Sequence, residues 1–79
     1  MARVLVLGAG KIGSLAAGLL SGLGGYDVHL ADLTLDAPKR VAEDLGVPSV
    51  TPCALDVRND EAVTHYVQSH RFDAVVAGL

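Results

Sequence analysis

The sequence predicts a doubly wound α/β domain: a parallel sheet with helices on both faces, three layers in all. Three observations carry this. Apolar runs occur without alternation, apolar residues at helical spacing lie between them, and the connections are short and rich in turn-forming residues. Continuous apolar runs suit strands covered on both faces, as parallel strands are, and strictly alternating strands and helices are the mark of this layering.

Arg3 to Leu7 is one such run and predicts the first, central strand. It ends at Gly8-Ala9-Gly10. After it Ile12, Leu15, Ala16, Leu19, Leu20 and Leu23 recur at helical spacing, predicting a helix whose single apolar stripe packs on the sheet and which Gly24-Gly25 stops. Tyr26 to Ala31 predicts a second strand closing on Asp32. Asp36-Ala37-Pro38 reads as an N-cap followed by a proline in the first helical turn, with Val41, Ala42 and Leu45 inward and Gly46 and Pro48 as the stop. Val50 to Leu55 predicts a third strand. Its Pro52 cannot donate to a ladder, which places this strand at a sheet edge; in a 3-2-1-4 order the third strand is the outer one. Asn59 or Asp60 then caps a third helix with Ala62, Val63, Tyr66, Val67 and His70 on one inward face, and Asp73 to Ala77 supplies the fourth strand.

Seventy-nine residues make one small domain of marginal stability, residues 1–79. With 51% apolar residues and a mean hydropathy of +0.42, part of its apolar surface is expected to pack on material outside the chain, as in a truncated domain, a part of a larger protein or a homo-oligomer. The net charge is −3, and the six basic residues Arg3, Lys11, Lys39, Arg40, Arg58 and Arg71 are scattered, so no basic patch is available for nucleic acid. No apolar run approaches the roughly 20 residues that cross a bilayer, and the N-terminus leads straight into a strand. A cytoplasmic protein without a membrane partner is expected. Cys53 is the only cysteine, which leaves no intrachain disulfide or cysteine-cluster zinc site; it is expected to be a small buried hydrophobe. His29, His65 and His70 show no metal or triad spacing, so no metal is expected, and Tyr26 and Tyr66 read as packing residues.

The strongest motif is Gly8-Ala9-Gly10-Lys11-Ile12-Gly13, a G-x-G-x-x-G between a strand and a helix. Gly8 permits the tight turn, Gly10 lets the backbone approach a pyrophosphate, and Gly13 lets the helix pack close to the strand. The first helical N–H groups, around Lys11 and Ile12, are unpaired and carry the positive end of the helix dipole, so they can receive pyrophosphate oxygens. Asp32 stands 19 residues after Gly13 at the end of the second strand, where an acid accepts from the adenosine ribose hydroxyls. Together these features predict the front half of a Rossmann-type dinucleotide-binding domain.

Asp32 favours NAD over NADP, since like unit charges ~4 Å apart at an effective dielectric near 20 cost roughly 4 kcal/mol. Lys39 and Arg40 are the counter-argument, as cations able to reach a 2′-phosphate from the second helix. Asp56-Val57 follows the third strand; Asp56 can accept from the adenine amino group with Val57 covering the ring, or it can cap the next helix. Gly78 at the end of the fourth strand is a candidate for close approach of the cofactor.

The chain resembles the N-terminal domain of the saccharopine dehydrogenase family. The resemblance rests on Val-Leu-Val-Leu-Gly-Ala-Gly-Lys-Ile-Gly, the Leu-Ala-Asp strand end, Leu55-Asp56-Val57 before an acidic helix start, and Phe72-Asp73-Ala-Val-Val-Ala-Gly-Leu. It implies an oxidoreductase using NAD or NADP on an amino acid or secondary amine, with Gly8, Gly10, Lys11, Ile12, Gly13, Asp32, Asp56 and Val57 touching the cofactor. The family's substrate-binding and catalytic residues lie beyond these motifs and map to no position here, so the amino-acid-like substrate is expected on a missing domain. NADP-using members often carry a small hydroxyl residue and a basic residue near the place of Asp32, a departure that supports NAD. A non-catalytic nucleotide sensor of the potassium-transport regulator type shares the glycine turn and the strand-end acid and is the competing reading. A flavoprotein front half ranks last, because flavin domains typically keep the acid as Glu.

Overall fold

The computed structural model describes residues 1–77. Seven elements alternate along the chain: β1 (Ala2–Leu7), α1 (Lys11–Leu23), β2 (Tyr26–Asp32), α2 (Asp36–Leu45), β3 (Val50–Ala54), α3 (Asp60–His70) and β4 (Ala74–Ala77). All strand pairs are parallel, and the sheet order is β3-β2-β1-β4. This is the Rossmann-type order expected from the sequence. Pro52 lies on β3 at the edge, in register with Leu30.

The continuous apolar run of β1 is divided between two cores by strand alternation. Val4 and Val6 join Ala17, Val28, Leu30 and Val50 beneath α1 and α2, while Leu5 and Leu7 join Ala31 against Val63, Tyr66 and Val67 of α3. Leu5, Val6, Val28 and Leu30 are fully buried, each contributing about 1.5–3 kcal/mol. The five inward residues expected on α3 are its half-buried ones.

Helix α1 departs from expectation. It meets the sheet through Gly13, Ala16, Ala17 and Leu20, whereas Ile12, Leu15, Leu19 and Leu23 are 63%, 62%, 70% and 74% exposed. The cause is the turn before it. Three residues, Gly8-Ala9-Gly10, bring the first helical turn so near β1 that a Cβ at position 13 would lie 1.7 Å from the Gly8 carbonyl oxygen. Only residues without bulk fit that contact, and the helical period then carries the small face forward to Ala17. The larger side chains are rotated onto the outer flank.

A second correction concerns α2. Asp36 is its first helical residue rather than its N-cap; Leu35 occupies the cap, and no side chain there accepts a hydrogen bond. Asp36 still places a negative charge in the first turn, where the helix dipole favours it, and Pro38, fully buried, takes a position whose N–H is not needed. Gly46 closes α2 in the left-handed conformation, φ 64°. Asn59 is the N-cap of α3, its side chain accepting from the Ala62 N–H. That removes the capping role considered for Asp56. Among the described residues no helix is long and apolar enough to cross a membrane, and no cluster of His, Cys, Asp or Glu is suited to a metal ion.

Candidate dinucleotide-binding site

The carboxyl ends of the three strands β1, β2 and β3 are laced together one residue past the ladders. The Gly8 N–H donates to the Ala31 carbonyl at 2.7 Å, and the Leu55 N–H donates to the Asp32 carbonyl at 2.7 Å. These bonds hold the glycine turn, Asp32 and the Leu55-Asp56-Val57 segment along one rim of the sheet. In open α/β sheets the crevice outside the strand ends is where ligands bind.

The glycines of the turn differ in what requires them. Gly8 adopts φ 100°, which an L side chain rarely takes, and Gly13 is fixed by its contact with the Gly8 carbonyl. Gly10 answers to neither constraint. Its φ is −78°, and a Cβ there would meet nothing within 4 Å. The first intrahelical bond runs from the Ser14 N–H to the Gly10 carbonyl at 2.9 Å, and no side chain caps the helix. The N–H groups of Lys11, Ile12 and Gly13 therefore lie ahead of the helical ladder, with no acid in the first turn to meet the positive dipole end.

Asp32 fastens this turn. Its Oδ2 accepts from the Ala9 N–H at 2.9 Å and its Oδ1 from the Leu33 N–H at 2.7 Å. Each carboxylate oxygen keeps a second acceptor direction. Ser14 ties back from the helix, its hydroxyl donating to the Ala9 carbonyl at 3.2 Å. Ala9, Leu33 and Ser14 are the positioning residues that sequence reasoning passed over. Only Ser14 carried a signal, a hydroxyl directly after the last glycine of the motif.

Asp56 is turned toward Arg58: its Oδ1 accepts from the Arg58 backbone N–H at 3.1 Å and from Nε at 3.3 Å. Those bonds to Arg58 hold its carboxyl below the usual carboxylate range. Val57 is half-buried beside Leu55 in the α3 core. Lys39 and Arg40 are exposed along α2, in a shallow depression shared with Asp36 and Glu43. Another depression, lined by Asp60, Glu61, Thr64, His65 and Gln68, lies on α3. Both are helix-surface features, the first running back from the start of α2 and the second from the start of α3. Gly78 lies outside the described residues.

The histidines and Cys53 take packing or surface places. His29 is half-buried with its Nδ1 2.8 Å from the Tyr66 hydroxyl, His65 is exposed, and His70 shares its Nδ1 with the Tyr66 carbonyl at 2.9 Å. Cys53 is half-buried in the α3 core, where burial pushes its thiol up.

Among solved structures, the chain is similar to malate dehydrogenase from Plasmodium falciparum in complex with NADH, at 22% identity and a TM-score of 0.47. That alignment covers 100% of this chain and 20% of that chain. No curated protein matches it. The family model described as saccharopine dehydrogenase NADP binding domain matches residues 4–79. It takes in the whole strand-end rim, from the glycine turn through Asp32 to Asp56, and by that match the chain belongs to the saccharopine dehydrogenase NADP-binding domain family.

Proposed function

We propose that this chain is the cofactor-binding part of an NAD-dependent oxidoreductase acting on an amino acid or secondary amine. In this reading a further domain of the whole protein holds the substrate and the catalytic residues. The observation that carries the reading is Gly10, which no backbone angle and no neighbouring atom requires to be glycine, at the mouth of a helix whose first N–H groups have no cap. A glycine with no internal cause is explained by a ligand that needs the space.

In this reading Gly8, Gly10 and Gly13 form the cradle, and the Lys11 and Ile12 N–H groups receive the pyrophosphate. Asp32 accepts from the adenosine ribose through the acceptor directions left beside Ala9 and Leu33. Asp56 offers its Oδ2, the oxygen not engaged by Arg58, to the adenine amino group, and Val57 gives its remaining surface to the ring. The bound cofactor supplies hydride chemistry at a C–N bond, while the protein binds and orients it.

The family description names NADP, whereas Asp32 sets a carboxylate where a 2′-phosphate would come. The charge argument favours NAD. Lys39 and Arg40 do not reverse it, because Asp36 and Glu43 share their depression. Calorimetric titration of the chain with NAD, NADP and ADP-ribose, beside an Asp32→Ala variant, tests this. NAD and ADP-ribose are expected to bind more tightly than NADP, with the preference lost in the variant. The ratio of affinities is the decisive quantity, since removing Asp32 also frees the Ala9 N–H and loosens the turn for every ligand. Equal affinities in the wild-type chain would remove the NAD assignment, and no binding by a folded chain would remove the cofactor role of the turn.

A further inference from the structure

We infer that the outer flank of α1 is a self-association surface, on which a second copy of this chain docks its own α1 antiparallel about a two-fold axis. Ile12, Leu15, Leu19 and Leu23 recur at intervals of three, four and four residues, are all more than 60% exposed, and lie on one side of the helix. Lys11 is the only charged residue of the thirteen, so no like-charged pair opposes the approach of an identical surface.

The pattern is self-complementary. With the axis at the level of Ala17, Leu15 of one copy meets Leu19 of the other, and Ile12 meets Gly22. Gly22 is exposed, and a Cβ there would meet nothing within 4 Å. Nor is it among the glycines with positive φ. A glycine inside a helix costs conformational entropy, and this one has no cause within the chain; opposite Ile12 it is the hole that receives a knob. The ends match too. Lys11 falls beside Leu23 and the C-terminal carbonyls of the other helix, where the dipole is negative and no basic residue of that helix occupies the last turn. This arrangement is isologous and closes at two copies.

Four side chains at this exposure offer on the order of 400 Å² of apolar surface, about 800 Å² across the pair, below the roughly 1,200 Å² at which standard stable interfaces begin. The dimer is therefore weak and concentration-dependent. Sedimentation velocity of the whole chain from about 10 µM to about 1 mM is expected to show a monomer–dimer equilibrium. Leu19→Glu should abolish it with an unchanged circular dichroism spectrum, whereas Leu35→Glu, which alters an exposed leucine outside α1, at the N-cap of α2, should leave it intact. A wild-type chain that stays monomeric throughout would overturn the inference and assign the flank to a different partner helix. So would a dimer that survives Leu19→Glu, or one that Leu35→Glu also dissociates.

Discussion

At the carboxyl ends of β1 and β2 the residues are chemically plain, three glycines, an alanine and one acid. Beneath the C-terminal half of α3 they are chemically rich: His29, Tyr66, His70, Phe72 and Cys53 gather beside Asp27 and Arg3. In that cluster Tyr66 stacks on His70 at 4.0 Å between ring centroids, and Phe72 meets His29 edge-on at 5.0 Å. Arg3 pairs with Asp27 at 3.0 Å and donates to the His70 carbonyl. Among the described residues no buried side-chain nitrogen or oxygen lacks a partner. The two regions therefore differ in what is left over. In the cluster every buried polar side-chain atom is already engaged, whereas the glycine turn presents backbone donors that the fold has positioned and not used.

The largest effect that separates the regions comes from the turn's own glycines. Gly13→Ala drives a methyl group into the Gly8 carbonyl at 1.7 Å, so α1 must move off β1, at a cost of about 3 kcal/mol or more. That is a large part of the stability of so small a domain, and urea denaturation followed by circular dichroism should show a chain largely unfolded without denaturant. Gly10→Ala should change stability by no more than about 0.5 kcal/mol, yet weaken dinucleotide binding by about tenfold or more. If Gly10→Ala binds NAD as the wild type does, the space above Gly10 is not the pyrophosphate site.

The same turn explains what was legible in the sequence and what was not. Element order, the 3-2-1-4 sheet and the edge position of β3 follow from local signals: apolar runs, Gly24 and Gly46 as stops, and Pro52, which excludes a central strand. The phase of α1 was not legible. Periodicity identifies an apolar stripe, but which side of a helix meets the sheet was decided by the closest contact, and Gly13 sets that contact for want of a Cβ. Ala16 and Ala17, less apolar than the leucines, then face the core because they are smaller. Asp36 was misplaced by a single residue, within the range over which cap and first turn share the same preferences. The bonds from Asp32 to Ala9 and Leu33 depend on how two loops approach one another, which no local spacing encodes.

On the other side of the comparison, Tyr66→Phe removes a single hydroxyl and leaves the His29 Nδ1 without its 2.8 Å partner. A loss of about 1–2 kcal/mol in urea denaturation is expected, with NAD affinity unchanged, because the cluster is on the α3 face and apart from the strand-end rim. A variant that keeps its stability but loses NAD binding would break the division between a structural cluster and a binding turn.

The smallest effect is one of pH. Burial, the largest cause, pushes the His29 imidazole below its ordinary value of 6.5, against the opposing pull of the Asp27 carboxylate 3.8 Å from Nε2; the charges of His70 and Arg3 lower it further. In the unfolded chain His29 takes up its proton near that ordinary value, so across the window just below pH 6.5 the unfolded state binds more protons than the folded one. Stability then rises with pH across the window. The contribution is fully present above pH 6.5 and is lost progressively as the solution is acidified toward the lower folded value. Urea midpoints measured from about pH 7.5 to about pH 5 should fall in the wild-type chain, and less steeply in His29→Gln, where that group no longer titrates. Equal slopes in the two proteins would move the acid sensitivity to a different group and leave the cluster with packing as its whole contribution.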